Sequence, residues 1–165
     1  MGTHLNAIVI DYIWFGTKQF IMKEIKTEIL INASPKKVWK VLTDFKAYPD
    51  WNPFITSVQG EVFEGSRFKV KIQTLGSSPM TFEPICLSFK EDIEFSWLGK
   101  LVMKGVFDGK HCFELIEMNE GKTKFIQREE FKGVLVSFFW KKLDVNTRWS
   151  FEMMNDKLKE TVEKM

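Results

Sequence analysis

The C-terminal end of the chain carries the pattern that most limits the fold. Over residues 137–164, Trp140, Leu143, Thr147, Phe151, Met154, Leu158 and Val162, and then Met165, recur at spacings of three and four. That period draws one apolar stripe along a single long helix. A helix of this kind gains most of its stability by laying its stripe on an apolar surface elsewhere in the chain. A second apolar set, Phe138, Val145, Trp149 and Met153, falls on another flank. That flank suits a pocket mouth, a dimer contact or an edge that touches a membrane.

The matching surface lies upstream. Residues 23–32 alternate Ile25, Thr27, Ile29 and Ile31 against charged and polar neighbours, the pattern of a half-buried strand. Ser34-Pro35 opens a short helix, with Ser34 at the N-cap and Val38, Trp39, Val41 and Leu42 on its apolar side. A second short helix over residues 45–51 stops at Asn52-Pro53. Strands follow over residues 54–62, 67–75 and 80–89, then one containing Ile93, Phe95 and Trp97 on its inner face, then 106–117 and 122–132. Pro84 marks the third of these as an edge strand or a bulged one. Strands joined as hairpins make an antiparallel sheet with one face to bury. The expected architecture is α+β: a curved antiparallel sheet wrapped around the long C-terminal helix, with the short helices closing one end.

One residue interrupts the inner face. Phe107, Gly109, His111, Phe113 and Leu115 share a side by alternation, so an imidazole sits in an apolar row. A three-residue loop Asn119-Glu120-Gly121 sets a hairpin that pairs Met118 with Lys122, Phe113 with Gln127, and His111 with Glu129. Opposed residues on one face touch. His111 and Glu129 therefore form a polar pair with Gln127 beside it. Such a pair can hold two strands in register, orient the polar end of a ligand, or act as general acid and base. The same logic around Lys90-Glu91-Asp92 pairs Phe89 with Ile93, Leu87 with Phe95 and Ile85 with Trp97, an aromatic wall on the same surface.

Composition removes several function classes. A formal net charge of +2 is too small to imply a nucleic-acid partner. The only histidines are His4 and His111, so a multi-histidine metal site is not available, and no cofactor motif is present. Cys112 points to the face opposite His111, which rules out a thiolate–imidazole dyad within the strand. Cys86 and Cys112 read as reduced thiols of a cytoplasmic protein. Residues 1–21 contain an apolar, β-prone stretch from Leu5 to Phe15, broken by Asp11 and too short to span a bilayer. No signal-peptide or myristoylation pattern marks them, and they are expected to be an extension ahead of Met22.

The segment Ala33-Ser34-Pro35-Lys36-Lys37-Val38-Trp39-Lys40-Val41-Leu42-Thr43-Asp44-Phe45, followed by Tyr48-Pro49-Asp50-Trp51-Asn52-Pro53-Phe54, resembles the first helices of the START-like, or SRPBCC, superfamily. Residues 108–115 and 123–133 resemble its polyketide cyclase/dehydrase and lipid-transport-like branch. The resemblance covers residues 22–165 and leaves 1–21 outside it. It implies the helix-grip fold, a seven-stranded antiparallel sheet around a long C-terminal helix with a cavity between them. Relatives bind lipids, hormones or polyketides, and some catalyse cyclisation or dehydration.

The expected function is binding of a hydrophobic or amphipathic small molecule in that cavity. Trp51, Phe54, Phe95, Trp97, His111, Phe113, Gln127, Glu129 and Trp149 are the expected lining residues. Residues 98–105, flanked by Gly99 and Gly105, are the expected lip. A cyclase- or dehydratase-type enzyme using His111 and Glu129 is the first alternative. An interaction module, using the Phe138 flank and the N-terminal extension, is the second. A weak homodimer is the one assembly left open.

Overall fold

The computed structural model describes residues 22–101, 107–133 and 135–165. The N-terminal extension and most of the expected lip beyond Leu101 lie outside the described residues. Strand β1 (Met22–Ile31) leads into helix α1 (Pro35–Thr43), a 3-10 turn (Phe45–Ala47) and the single-turn helix α2 (Tyr48–Trp51). Strands β2 (Ile55–Gln59), β3 (Lys69–Ile72), β4 (Met80–Phe82), β5 (Ile85–Lys90), β6 (Glu94–Leu101), β7 (Phe107–Met118) and β8 (Lys122–Lys132) follow, and helix α3 (Val136–Glu163) closes the chain.

Five strands form one antiparallel sheet in the order β1-β8-β7-β6-β5, and β2-β3-β4 form a second. Backbone hydrogen bonds Gly65 N to Cys86 O and Cys86 N to Ser66 O stitch the two together. The stripe on α3 is buried from Thr147 to Val162, while Trp140 and Leu143 are half-buried and Met165, beyond the helix end, is largely exposed. Phe151, Met154, Leu158 and Val162 are fully buried against the inner face of the large sheet, in one core with Ile25, Phe113 and Phe125. This is the helix-grip arrangement, with eight described strands in place of seven.

Each departure from the sequence pattern has a local cause. Residues 80–89 do not form one strand, because Pro84 has no N–H to give to a ladder and the segment divides into β4 and β5 around it. The β5–β6 hairpin turns one residue later than its sequence suggests. Lys90 pairs with Glu94, Phe89 with Phe95 and Cys86 with Trp97. Asp92 takes the left-handed conformation at φ 62°, and Ile93 N donates to Lys90 O. Ile93 consequently stands in the turn, largely exposed, rather than on the aromatic wall. Ser34 occupies the N-cap of α1, but its side chain makes no cap; its carbonyl instead accepts from the N–H groups of Lys37 and Val38. Asn52 does cap a turn: its Oδ1 accepts from Phe54 N and Ile55 N, swinging the chain from α2 into β2. Leu98, Gly99, Lys100 and Leu101 belong to β6, so the expected lip begins as paired strand.

Candidate functional site

The β7–β8 hairpin has the register that its loop predicts. Met118 pairs with Lys122, Leu115 with Phe125, Phe113 with Gln127 and His111 with Glu129. Phe113, Gln127, Glu129 and His111 thus meet on the inner face, where Trp97 of β6 pairs with His111 from the other side.

His111 is almost entirely buried, and both ring nitrogens are engaged. Nδ1 lies 3.4 Å from Glu129 Oε2, and Nε2 lies 3.2 Å from Gln127 Nε2. The Gln127 amide N–H can donate only to an unprotonated Nε2. The neutral tautomer with its proton on Nδ1 satisfies both contacts, donating to Glu129 and accepting from Gln127. The ring is also encased by aromatics. Trp97 stacks on it at 4.6 Å between centroids and 4° between planes, while Phe113 and Phe151 present edges at 4.6 and 5.0 Å. Phe54 closes a further side at 6.0 Å.

Burial is graded along this polar file. The Glu129 side chain keeps 18% of its surface while His111 keeps 2%, so the carboxylate is the end that solvent reaches. Gln127 is the inner end, and its amide also contacts Met154 Sδ at 3.6 Å. A neighbouring polar group extends the file toward β1: Asn155 Nδ2 donates to Thr27 Oγ1 at 2.9 Å. Gln127 Oε1 and Asn155 Oδ1 are buried acceptors with no donor among the described residues.

Two glycines make room for this arrangement. Gly99 and Gly109 face each other across β6 and β7. A β-carbon on Gly109 would stand 2.5 Å from Glu129 Oε1, and one on Gly99 would stand 3.0 Å from the Phe82 ring. The carboxylate and the Phe82 ring occupy the space that side chains at these positions would take. Sequence reasoning passed over Gly109, although a glycine in a strand interior signals just such a close approach. Phe151 and Met154, members of the helix stripe, touch the polar file, and Asn155, which lies outside the stripe, extends it.

Of the nine expected lining residues, Phe54, Phe95, Trp97, His111, Phe113, Gln127 and Glu129 come together through these contacts and the 4.9 Å approach of Phe95 to Trp97. Trp51 stands aside, packing on Tyr48 at 5.1 Å. Trp149 does not line the interior. It is exposed on α3, where it borders a shallow cleft of ≈ 190 Å³ with Leu75, Gly76 and Met153. A larger cleft of ≈ 350 Å³ lies beside it, lined by Thr74, Ser77, Met80, Phe139, Lys142, Leu143, Asn146 and Thr147. Its floor residue Thr147 is one helical turn from Phe151, the ring that packs on His111. His111 lines neither cleft.

On the outer face, Glu94, Cys112 and Glu114 bring three ligand-type atoms within 4.8 Å of one another. These donors are already engaged. Arg128 Nε bonds Glu114 Oε1 at 2.6 Å, and Ser96 donates to Glu94 at 3.0 Å. Burial, reinforced by the Glu94 charge, pushes the Cys112 thiol up to about 12. No described helix is long and apolar enough to cross a membrane.

Comparison with known proteins then decides the family. The family of polyketide cyclases/dehydrases and lipid-transport proteins matches residues 22–163. The chain belongs to this family. No curated protein matches it by sequence. Solved structures share its fold. An aromatase/cyclase from Streptomyces sp. R1128 is 12% identical at a TM-score of 0.71, covering 87% of this chain and 95% of its own. A START superfamily protein from Mycobacterium smegmatis is 16% identical at 0.68, covering 86% and 97%. A norcoclaurine synthase from Thalictrum flavum, solved with a transition-state analogue, is 13% identical at 0.68, covering 88% and 96%. At these identities the likeness carries the START-like fold of the family and no more.

Proposed function

We propose that this member of the family binds an amphipathic, largely apolar small molecule between the sheet and α3, entering by the cleft beside Met80, Phe139 and Leu143. The observation that carries the reading is that cleft. Its ≈ 350 Å³ falls in the range of about 300–1,000 Å³ typical of small-molecule sites, with Met80, Phe139 and Leu143 as apolar lining beside the polar side chains of Thr74, Ser77, Asn146 and Thr147. Phe151, one turn of α3 beyond the lining residue Thr147, is fully buried behind the cleft. A ligand tail that goes deeper shifts the Phe151 ring and meets the polar file. Glu129 is the member of that file with access, and the Gln127 and Asn155 acceptors, which have no donor among the described residues, favour a ligand that carries a hydrogen-bond donor.

The His111–Glu129 pair fits orientation of such a ligand better than acid–base catalysis. Both imidazole nitrogens are occupied by protein partners and the ring faces are covered, so no substrate atom meets His111 without rearrangement of the stack. The test is native mass spectrometry of protein purified from its own host, together with an Asn146→Trp variant that fills the cleft. A co-purified apolar molecule, lost in the variant at unchanged melting temperature, is the expected result. Reproducibly empty wild-type protein, or a ligand retained in full by the variant, overturns the reading.

A further inference from the structure

The surface around the two clefts is apolar and basic at once. Phe138, Lys142, Val145 and Trp149 follow one another at spacings of four, three and four, which sets them in one stripe along the outward side of α3. Phe138 is 81% exposed and Val145 63%, values that no folded chain needs for its own core. Phe139 lies edge-on to Phe138 at 4.9 Å and borders the larger cleft with Met80. Leu75 and Trp149 border the smaller one. Exposed apolar groups therefore stand on both clefts' borders, interspersed with Thr74, Ser77, Lys142 and Asn146.

Charge decides what such a surface fits. Over the first four turns of α3 the cations are Lys141, Lys142 and Arg148, and the one carboxylate is Asp144. Arg148 ties Asp144 up at 2.8 Å and also donates to Lys26 O. Lys141 and Lys142 make no ion pair among the described residues, and the facing loop 73–80 carries no charged side chain. A second copy of the chain, docked through this face, would bring lysine against lysine, and the nearest carboxylate outside an ion pair among the described residues is Glu152, at the far end of the stripe beyond Trp149. A bilayer with anionic headgroups supplies an apolar interior for Phe138 and Val145 and phosphates for the lysines.

We propose that the Phe138–Trp149 face of α3 and the 73–80 loop dock on an anionic lipid surface, with the cleft mouth turned toward the membrane. The contact is interfacial: the phenyl rings enter the headgroup boundary, the lysines stay at the phosphates, and nothing crosses the bilayer. It requires no bound ligand, so it stands or falls separately from the binding reading above.

Flotation of the full chain with phosphatidylcholine vesicles, with and without phosphatidylserine, tests it. The protein is expected to float with the phosphatidylserine vesicles, to bind neutral vesicles far less, and to be released as salt rises. Each basic residue at the surface contributes about fivefold to partitioning, so Lys141→Glu should lower it by about fivefold or more. Phe138→Ser should lower it by about tenfold or more, with the melting temperature unchanged because the ring contributes nothing to the core. Wild type that does not float, or floats equally with neutral vesicles, overturns the proposal. So does binding that Phe138→Ser leaves intact. A concentration-dependent dimer that Phe138→Ser abolishes, with no vesicle binding, assigns the face to a second copy and equally overturns it.

Discussion

Replacing Gly109 by alanine probes where the Glu129 carboxylate lies. The new β-carbon would stand 2.5 Å from Oε1 and 3.5 Å from Cδ. That is well inside the ~3.5 Å at which nonbonded atoms rest, so the carboxylate must move by about 1 Å. Its 3.4 Å contact with His111 is already long and does not survive the movement. A hydrogen bond to a charged group contributes about 1.5–3 kcal/mol when short and buried. The length here, and the 18% exposure of Glu129, reduce that to about 1 kcal/mol. Turning Glu129 off its rotamer adds about 0.5–1.5 kcal/mol. Against this, alanine at an ordinary strand position restricts the unfolded chain and returns about 0.5 kcal/mol, and Gly109 is not among the positive-φ glycines. The expected net loss is about 1–2 kcal/mol. In a Glu129→Ala background the obstacle is gone, and the same substitution should stabilise by about 0.5 kcal/mol. Urea denaturation of wild type, both single variants and the double variant, followed by tryptophan fluorescence, reads this reversal of sign. An equal cost of Gly109→Ala in both backgrounds would refute the packing of Glu129 over Gly109, and with it the geometry of the pair.

Further outcomes follow from the two faces of β7. His111→Ala empties the slot between Trp97, Phe113 and Phe151 and should cost about 3 kcal/mol in a denaturant titration; a cost under about 1 kcal/mol would mean that the stack closes over the gap and the ring does not organise it. The Cys112 thiol, raised to about 12 by burial and Glu94, should resist iodoacetamide in the folded protein at pH 8 and react on unfolding, as labelling followed by mass spectrometry reads directly. The unfolded chain releases this proton in the ordinary thiol range and the folded chain only near 12. The stability that the neutral thiol contributes is therefore complete below the ordinary thiol range and is lost as pH climbs toward 12. Rapid stoichiometric labelling of folded protein, or stability that rises over that interval, would contradict this.

The sequence by itself determined the large-scale architecture, through periodicities that are local. The stripe of α3, the alternation of β1, β7 and β8, and the Asn119-Glu120-Gly121 loop each follow from residues adjacent in the chain, and the loop set the register that joins His111 to Glu129. Where a hairpin lacked a glycine to fix its turn, the register slipped. Asp92 adopts a positive φ that its side chain tolerates, but no local rule required it, and Ile93 left the inner face as a result. Tertiary structure alone decided whether the interior stands open. Alternation places Trp97, Phe113 and His111 on one face, but the imidazole stacked on Trp97 is closed in by Phe54 and Phe151, which arrive from α2's exit and from α3. Only packing between distant elements sets that closure. The same holds for Trp149, which the helix period permits on either flank and which the fold turns outward beside Leu75. Local pattern chooses which side of an element a residue takes; the meeting of elements chooses whether that side holds a core, a polar file or a mouth.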